Sequence, residues 1–177
     1  MFLSDDEAAV RKVRFWATQA REPLPYYEHK EIGYNYRMSN IVAGIGRGQM
    51  LHLDEHVAQK RAIYGRYVRG FAGMPLQMNP YLSDSEPNFW LSCLLLDAGV
   101  RVTPEDIRLA LLEHNIESRP IWKPMHLQPV FAGRDFITMG DLVGEDIFQR
   151  GLCLPSDIKM TAAQQDVVIG IVREILS

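Results

Sequence analysis

The sequence predicts an α/β fold in which one long helix leads into a small α/β unit. Apolar side chains recur with helical spacing through residues 39–72. Downstream, short apolar runs of strand length at residues 89–96 and 152–155 alternate with helical segments. No glycine-rich turn lies between a predicted strand and a helix. The order of elements therefore excludes a complete dinucleotide-binding domain.

Two helices are expected before the small unit. Ser4 and Glu7 have the spacing of a capping box, which predicts a helix that runs to about Gln19. Either Ser39 or Asn40 can cap the second, longer helix. A polar and aromatic loop separates the two helices.

The small unit begins after a connection rich in Pro, Asn, Asp and Ser at residues 73–87. Thr103 and Thr161 are each expected to cap a helix, the first with proline next to it and the second in a capping box with Gln164. The predicted elements are, in order, a strand at 89–96, a helix at 104–114, a strand at 116–120, a helix at 141–149, a strand at 152–155 and a terminal helix from 162.

Composition excludes several classes of partner. The net charge of −3 provides no basic field for nucleic acid. No apolar run approaches the roughly 20 residues that span a membrane, and the N-terminus lacks the pattern of a signal peptide. Cys93 and Cys153 lie in apolar runs without metal-type spacing. We therefore expect a cytoplasmic protein with buried thiols rather than a disulfide or a ligand pair.

Two other sequence patterns indicate structural roles for their residues rather than ligand binding or catalysis. The glycines at positions 44, 46 and 48 lie inside a helical pattern, so they predict close helix packing, for example against a partner subunit, rather than a phosphate loop. His52 and His56 have i, i+4 spacing, but no acidic or cysteine ligand completes a zinc pattern. We expect no metal site and interpret both histidines as part of a solvated helix face.

The first candidate site is the loop before the long helix. It brings together Tyr34, Asn35, Tyr36 and Arg37, whose phenols, amide and guanidinium are donors suited to an anion. The alternative is a polar loop that caps the helix and buries its aromatic rings.

The second candidate site lies in residues 117–126 and contains Arg119, Trp122, Lys123 and His126. Prolines stiffen this segment, which lowers the entropy lost on binding. Cations, donors and an aromatic face suit a ligand with a diphosphate and many hydroxyls. The alternative is a surface loop whose tryptophan covers the core.

Both segments resemble parts of one family. Residues 31–40, EIGYNYRMSN, resemble the loop that opens the second half of DegT/DnrJ/EryC1/StrS sugar aminotransferases, and residues 117–126 resemble their substrate-binding loop. The resemblance implies the C-terminal part of a fold-type-I, aspartate aminotransferase-like transferase that uses pyridoxal 5'-phosphate (PLP), without the large PLP-binding domain. The implied organisation is a large-domain remnant with the active-site loop at 1–38, a long connecting helix at 39–72 and a small α/β domain at 73–177.

The resemblance also implies residue roles. Asn35 would donate to the PLP phosphate of the partner subunit, and Arg37 would support that region. The implied substrate-binding residues are Tyr34, Arg119, Trp122, Lys123 and His126. No catalytic residue is expected in this chain, because the lysine that forms the Schiff base lies upstream in the family. PLP would therefore not be bound covalently here.

The expected activity of the whole enzyme is transfer of an amino group from glutamate to a nucleotide-linked 4-keto sugar, for surface polysaccharide or glycan synthesis. The closest resemblance is to members that act on UDP-linked 4-keto-6-deoxy amino sugars. A homodimer with a shared active site follows, and the fragment alone should be inactive. The alternatives are a domain that binds a nucleotide sugar without reaction and a dimerisation module.

Overall fold

The computed structural model describes residues 2–177, which form two compact units that meet in sequence between His52 and Leu53. The helices are α1 Glu7–Trp16, α2 Asn40–Met50, α3 Leu53–Gly70, α4 Pro104–Glu113, α5 Val143–Arg150 and α6 Ala162–Ile175. The strands are β1 Leu76–Met78, β2 Ser92–Leu96, β3 Arg119–Pro120 and β4 Gly151–Leu154. Two short 3-10 helices cover Met125–Leu127 and Pro129–Phe131. The expected α/β fold is confirmed.

Helix α1 is shorter at both ends than the sequence predicted. Its N-cap is Asp6, whose carboxylate accepts the Ala8 and Ala9 amides at 2.8 and 3.1 Å. Ser4, the predicted cap, instead accepts the Asp6 amide at 3.1 Å. The predicted cap was therefore wrong, because a carboxylate nearer the helix satisfies two free amides at once.

The C-terminal end of α1 is set by backbone conformation. Gln19 and Ala20 have φ values of 66° and 49°, in the left-handed region, so no α-helix can continue through them. The predicted extension to about Gln19 was wrong for this reason. The chain turns back at this point.

The predicted single helix over residues 39–72 is two helices, α2 and α3. Ser39 is the cap of α2, with its hydroxyl accepting the Val42 amide at 3.3 Å. The Leu51 and His52 amides donate to the carbonyls of residues 48 and 49, a tight turn that ends α2. The three glycines of α2 lie within the helix, as expected, and not at a phosphate loop.

The second unit is built on a four-stranded antiparallel sheet in the order β1-β2-β4-β3. Strand β1 was not predicted, because its three residues lie within the segment that the sequence indicated as a connection. One face of the sheet packs against α3, α4 and α6. The fully buried side chains of this core include Tyr67, Leu94, Ile107, Leu111, Leu152 and Val172.

Polar groups anchor this core. The Tyr67 hydroxyl donates to the Pro155 carbonyl at 2.7 Å, and burial raises its pKa well above the ordinary value. Lys60 donates to the carbonyls of Trp90, at 3.1 Å, and of Ser156, and desolvation lowers the pKa of its amine. These bonds tie α3 to the segments that flank β2 and β4.

Both predicted helix caps of the second unit are confirmed. Thr103 and Asp106 form a reciprocal capping box in which the Asp106 amide donates to the threonine hydroxyl at 3.2 Å. The hydrogen bonds from Thr103 lower the pKa of the Asp106 carboxyl. Thr161 and Gln164 form the corresponding box at α6. Within residues 2–177, no helix combines the length and the apolar character needed to cross a bilayer.

Candidate functional site

The first candidate loop runs antiparallel to the turn that follows α1. Isolated bridges pair Thr18 with Asn35 and Arg21 with His29. The His29 ring nitrogen Nδ1 also lies 2.9 Å from the Gln19 carbonyl. Three backbone bonds add to these: Tyr34 N to Trp16 O at 3.1 Å, Gln19 N to Tyr34 O at 3.2 Å and Tyr36 N to Ala17 O at 3.0 Å. The backbone of the loop is therefore held against the turn after α1 at Tyr34, Asn35 and Tyr36.

Side chains fix the start of the same loop. The Glu31 carboxylate accepts the Trp16 indole N–H at 2.7 Å and pairs with Lys12. The hydrogen bond from Lys12 lowers the pKa of this carboxyl most, and the hydrogen bond from Trp16 lowers it further. Lys12 also lies 5.1 Å from the Trp16 ring centre, within cation–π range. The cluster ties the loop to α1.

Extended backbone makes the side chains of the loop alternate. Tyr34 and Tyr36 share one side, with ring centres 6.1 Å apart, and both are largely exposed. Asn35 and Arg37 share the other side and line one cavity of about 480 Å³. The remaining lining residues are Thr18, Gln19, Arg21, Glu22, Pro23 and Leu24. The alternative that the loop buries its aromatic rings is not supported within this unit.

The donors of this cavity suit an anion. The Asn35 amide oxygen accepts the Arg37 backbone N–H at 3.1 Å, which leaves the two N–H donors of the amide for another partner. Within residues 2–177, neither the Asn35 NH₂ group nor the Arg37 guanidinium donates a side-chain hydrogen bond. Together they offer a fork of cationic and neutral donors that fits a phosphate group, including the phosphate of PLP.

Arg119, from the second candidate loop, lies in β3. Its Nε donates to the Glu117 carboxylate at 2.8 Å, and both side chains are highly exposed. An exposed pair of this kind is weak, so either partner can exchange it for a ligand. Lys123 is exposed, and its backbone carbonyl accepts a hydrogen bond from the Gln128 side-chain Nε2 at 3.4 Å.

Trp122 forms an exposed aromatic pair with Trp90. Their ring centres are 6.2 Å apart at 34°, and the two residues are 65% and 64% exposed. Trp122 therefore does not cover the core of this unit. Trp90 was not predicted as a site residue, because it lies in the apolar run at residues 89–96 that was expected to form a strand. Phe89, next to it in the sequence, stacks on Tyr64 with ring centres 4.1 Å apart.

His126 is the most constrained residue of the second loop. Its Nε2 lies 2.8 Å from a Glu145 carboxylate oxygen, and both side chains are only 22% exposed. The ring stacks on Phe136 at 4.3 Å and 14°. His126 also lines a cavity of about 200 Å³ with Met125, Phe131, Arg134, Asp135 and Phe136. Glu145 and Phe136 were not foreseen, because neither position stands out in the sequence.

Among residues 2–177, no cluster of three or more His, Cys, Asp or Glu side chains has the geometry to hold a metal ion. His52 ends the first unit, and His56 lies in α3 of the second unit.

Comparison with known proteins identifies related chains. The model of the DegT/DnrJ/EryC1/StrS aminotransferase family matches residues 1–173. EpsN of Bacillus subtilis, whose name describes a pyridoxal phosphate-dependent aminotransferase, is 46% identical over 97% of this chain and 44% of its own length. GDP-perosamine synthase of Caulobacter vibrioides is 31% identical over 99% of this chain and 47% of its own length.

Solved structures share the fold. An aminotransferase of the same family from Brucella abortus superposes with a TM-score of 0.82 at 19% identity, over 99% of this chain and 45% of that one. The chain thus spans just under half the length of the relatives that it matches.

Proposed function

Because the chain belongs to the DegT/DnrJ/EryC1/StrS aminotransferase family, we propose that it is the C-terminal portion of a PLP-dependent enzyme. The whole enzyme transfers an amino group from glutamate to a nucleotide-linked 4-keto sugar, for surface polysaccharide or glycan synthesis. The observation that carries this proposal is the orientation of Asn35 and Arg37 into one cavity, with the Asn35 amide donors free.

Asn35 and Arg37 bind the cofactor phosphate in this proposal. PLP supplies the electron sink that makes amino transfer possible when it is bound. The Asn35 amide donates to the phosphate held by the partner subunit, and the Arg37 guanidinium adds positive charge beside it. A homodimer with a shared active site is part of the proposal, since each chain then completes its partner's site.

The chain does not supply the lysine that holds PLP in this proposal. Lys12 is paired with Glu31, and Lys60 is bound to two backbone carbonyls. Lys30 lies 3.7 Å from Glu28. These partners support structural roles for the three amines. As the family resemblance implies, the proposal places the lysine that holds PLP upstream of this chain, so that the chain alone is inactive.

The second loop binds the substrate in this proposal. Arg119, Lys123 and His126 provide cations and donors for the diphosphate and the sugar hydroxyls, with Tyr34 as a further substrate contact. Trp122, extended by Trp90, offers an aromatic face for the base. Relatives that are named GDP-perosamine synthase support a nucleotide sugar as the substrate class. The proposed substrate is a UDP-linked 4-keto-6-deoxy amino sugar.

An assay of the longer enzyme tests this function. The enzyme is incubated with PLP, glutamate and UDP- or GDP-linked 4-keto sugars, and the amino sugar is detected by mass spectrometry. We expect transfer that falls at least about tenfold in Asn35→Ala and His126→Ala. Gln49→Ala and His114→Ala, at exposed helical or cap positions, are the controls.

Three results would overturn the proposal in different ways. Activity that is unchanged in Asn35→Ala and His126→Ala contradicts the assigned roles. Nucleotide-sugar binding without transfer by the wild-type enzyme indicates the binding domain instead. Loss of dimerisation on truncation of the chain, with neither binding nor transfer, indicates a dimerisation module.

A further inference from the structure

The two cysteines of the chain face each other across the central strands of the sheet. Cys93 in β2 and Cys153 in β4 are paired in register, although 60 positions separate them in sequence. Their Sγ atoms lie 3.5 Å apart, and both are free thiols. The sequence predicted buried thiols rather than a disulfide, because nothing in the local pattern indicates that β2 and β4 are neighbours.

The backbone hydrogen bonds of Cys93 show whether Cys93 and Cys153 form a hydrogen-bonded or a non-hydrogen-bonded pair of the antiparallel sheet. Its N–H donates to the Asn79 side-chain oxygen at 3.0 Å, and its carbonyl accepts the Asn79 amide at 2.8 Å. Both backbone groups therefore point away from β4, so Cys93 and Cys153 form a non-hydrogen-bonded pair. Cα atoms in such pairs are about 4.5 Å apart, which lies within the range that a disulfide spans.

Reaching a bond of about 2 Å requires only a small movement of the two sulfur atoms, because the Sγ atoms start 3.5 Å apart. Cys93 lies on the face of β2 opposite the core leucines Leu94 and Leu96, and it is partly exposed. A small oxidant therefore has a path to the pair from this face. Cys153 is 7% exposed.

The hydrogen bond between the thiols makes them chemically unequal. The hydrogen bond with Cys153 is the main cause that raises the pKa of the Cys93 thiol, and burial raises it further. The hydrogen bond with Cys93 lowers the pKa of Cys153. The thiolate is the reactive form of cysteine, and Cys93 is the more exposed of the two sulfurs.

We propose that Cys93 and Cys153 are a site of reversible oxidation, at which hydrogen peroxide closes an intramolecular disulfide between β2 and β4. The thiolate of one cysteine attacks one peroxide oxygen, the O–O bond breaks, and hydroxide leaves to give a sulfenic acid. The thiol of the other cysteine then attacks the sulfenic sulfur, and the sulfenic oxygen leaves as water after protonation. Two thiols and one peroxide yield one disulfide and two waters.

The experiment treats the folded 177-residue chain with hydrogen peroxide, removes the oxidant, and unfolds the protein in iodoacetamide. Intact mass and peptide mapping then report the thiols. We expect a monomer that is lighter by two hydrogens before alkylation, carries no label at either cysteine, and yields one linked peptide containing both. Dithiothreitol should restore both labels.

Three controls make the result specific. Cys93→Ser and Cys153→Ala should give no linked monomer. Wild-type chain unfolded in urea should form the link at least about tenfold more slowly, since folding raises the effective concentration of one thiol at the other. Labelling of both cysteines after peroxide, their separate oxidation to sulfinic acids, or an equal rate in urea would overturn the proposal.

Discussion

Gly33 lies so close to Ala20 that a side chain does not fit between them. A Cβ atom on Gly33 would stand 2.5 Å from the Ala20 amide nitrogen and 2.7 Å from the Gln19 carbonyl carbon. Both neighbours are backbone atoms that cannot rotate away. The close approach lets the loop that carries Asn35 run beside the turn after α1.

Substitution of Gly33 by alanine should release this loop. Because the clash is with backbone, we expect a local cost of about 1–3 kcal/mol. Amide hydrogen exchange measures it directly, since the Gln19, Tyr34 and Tyr36 amides donate the bonds that hold the loop. Their exchange should become at least about tenfold faster.

Gly46→Ala is the matched control for this substitution. No atom lies within 4 Å of a Cβ at Gly46, which is inside α2. Alanine there should stabilise the helix by about 0.5–1 kcal/mol. Equal protection of the three loop amides in Gly33→Ala and in wild type would show that the contact with Ala20 does not hold the loop.

Tyr67 should make the stability of the second unit depend on alkaline pH. Its folded-state pKa is raised above the ordinary value of 10.0 by burial. Above pH 10 the unfolded chain releases this proton while the folded chain keeps it. The unfolded state then binds fewer protons, so the free energy of unfolding falls as pH rises.

Tyr67→Phe should make the free energy of unfolding less dependent on pH above pH 10. The substitution should also destabilise the second unit at neutral pH. The Pro155 carbonyl loses its partner, which costs about 1–3 kcal/mol. Urea unfolding at neutral pH and above pH 10 measures both effects, with the exposed Tyr26→Phe as control. An unchanged slope above pH 10 would contradict the role given to burial of this hydroxyl.

Trp90 should contribute to nucleotide binding as much as Trp122 does. If the exposed pair stacks on the base, Trp90→Ala should weaken UDP binding by about 1–3 kcal/mol. Calorimetric titration of the longer enzyme with UDP measures this change. Leu112→Ala, at an exposed apolar side chain of α4 that belongs to neither candidate loop, is the control. Equal UDP affinity in Trp90→Ala and wild type would remove Trp90 from the site.

The sequence was sufficient where the determinant is local. The caps at Thr103 and Thr161 were predicted because each depends on residues three positions apart. The prediction that Asn35 and Arg37 bind an anion likewise depends on side chains that are close together in the sequence. The N-cap at Asp6 was missed because Ser4 offers an equally valid local pattern, and only the chain path selects between them.

The sequence was insufficient where the determinant is a contact between distant segments. Strand β1 exists because it pairs with β2, and its three residues carry no strand signal of their own. Glu145 became part of the His126 environment only through the packing of α5, 19 positions away. The Cys93–Cys153 pair likewise depends on sheet order, which the apolar pattern of either strand does not encode.

Complementation between two inactive variants of the longer enzyme tests the central claim most directly. One variant carries Asn35→Ala, and the other lacks the lysine that holds PLP. If Asn35 serves the partner's cofactor, a mixed dimer contains one intact site and one site that lacks both residues. Random mixing should then restore about a quarter of wild-type amino transfer. If Asn35 acts within its own subunit, every site of the mixed dimer lacks one of the two residues. A mixture without amino-transfer activity would then contradict the account.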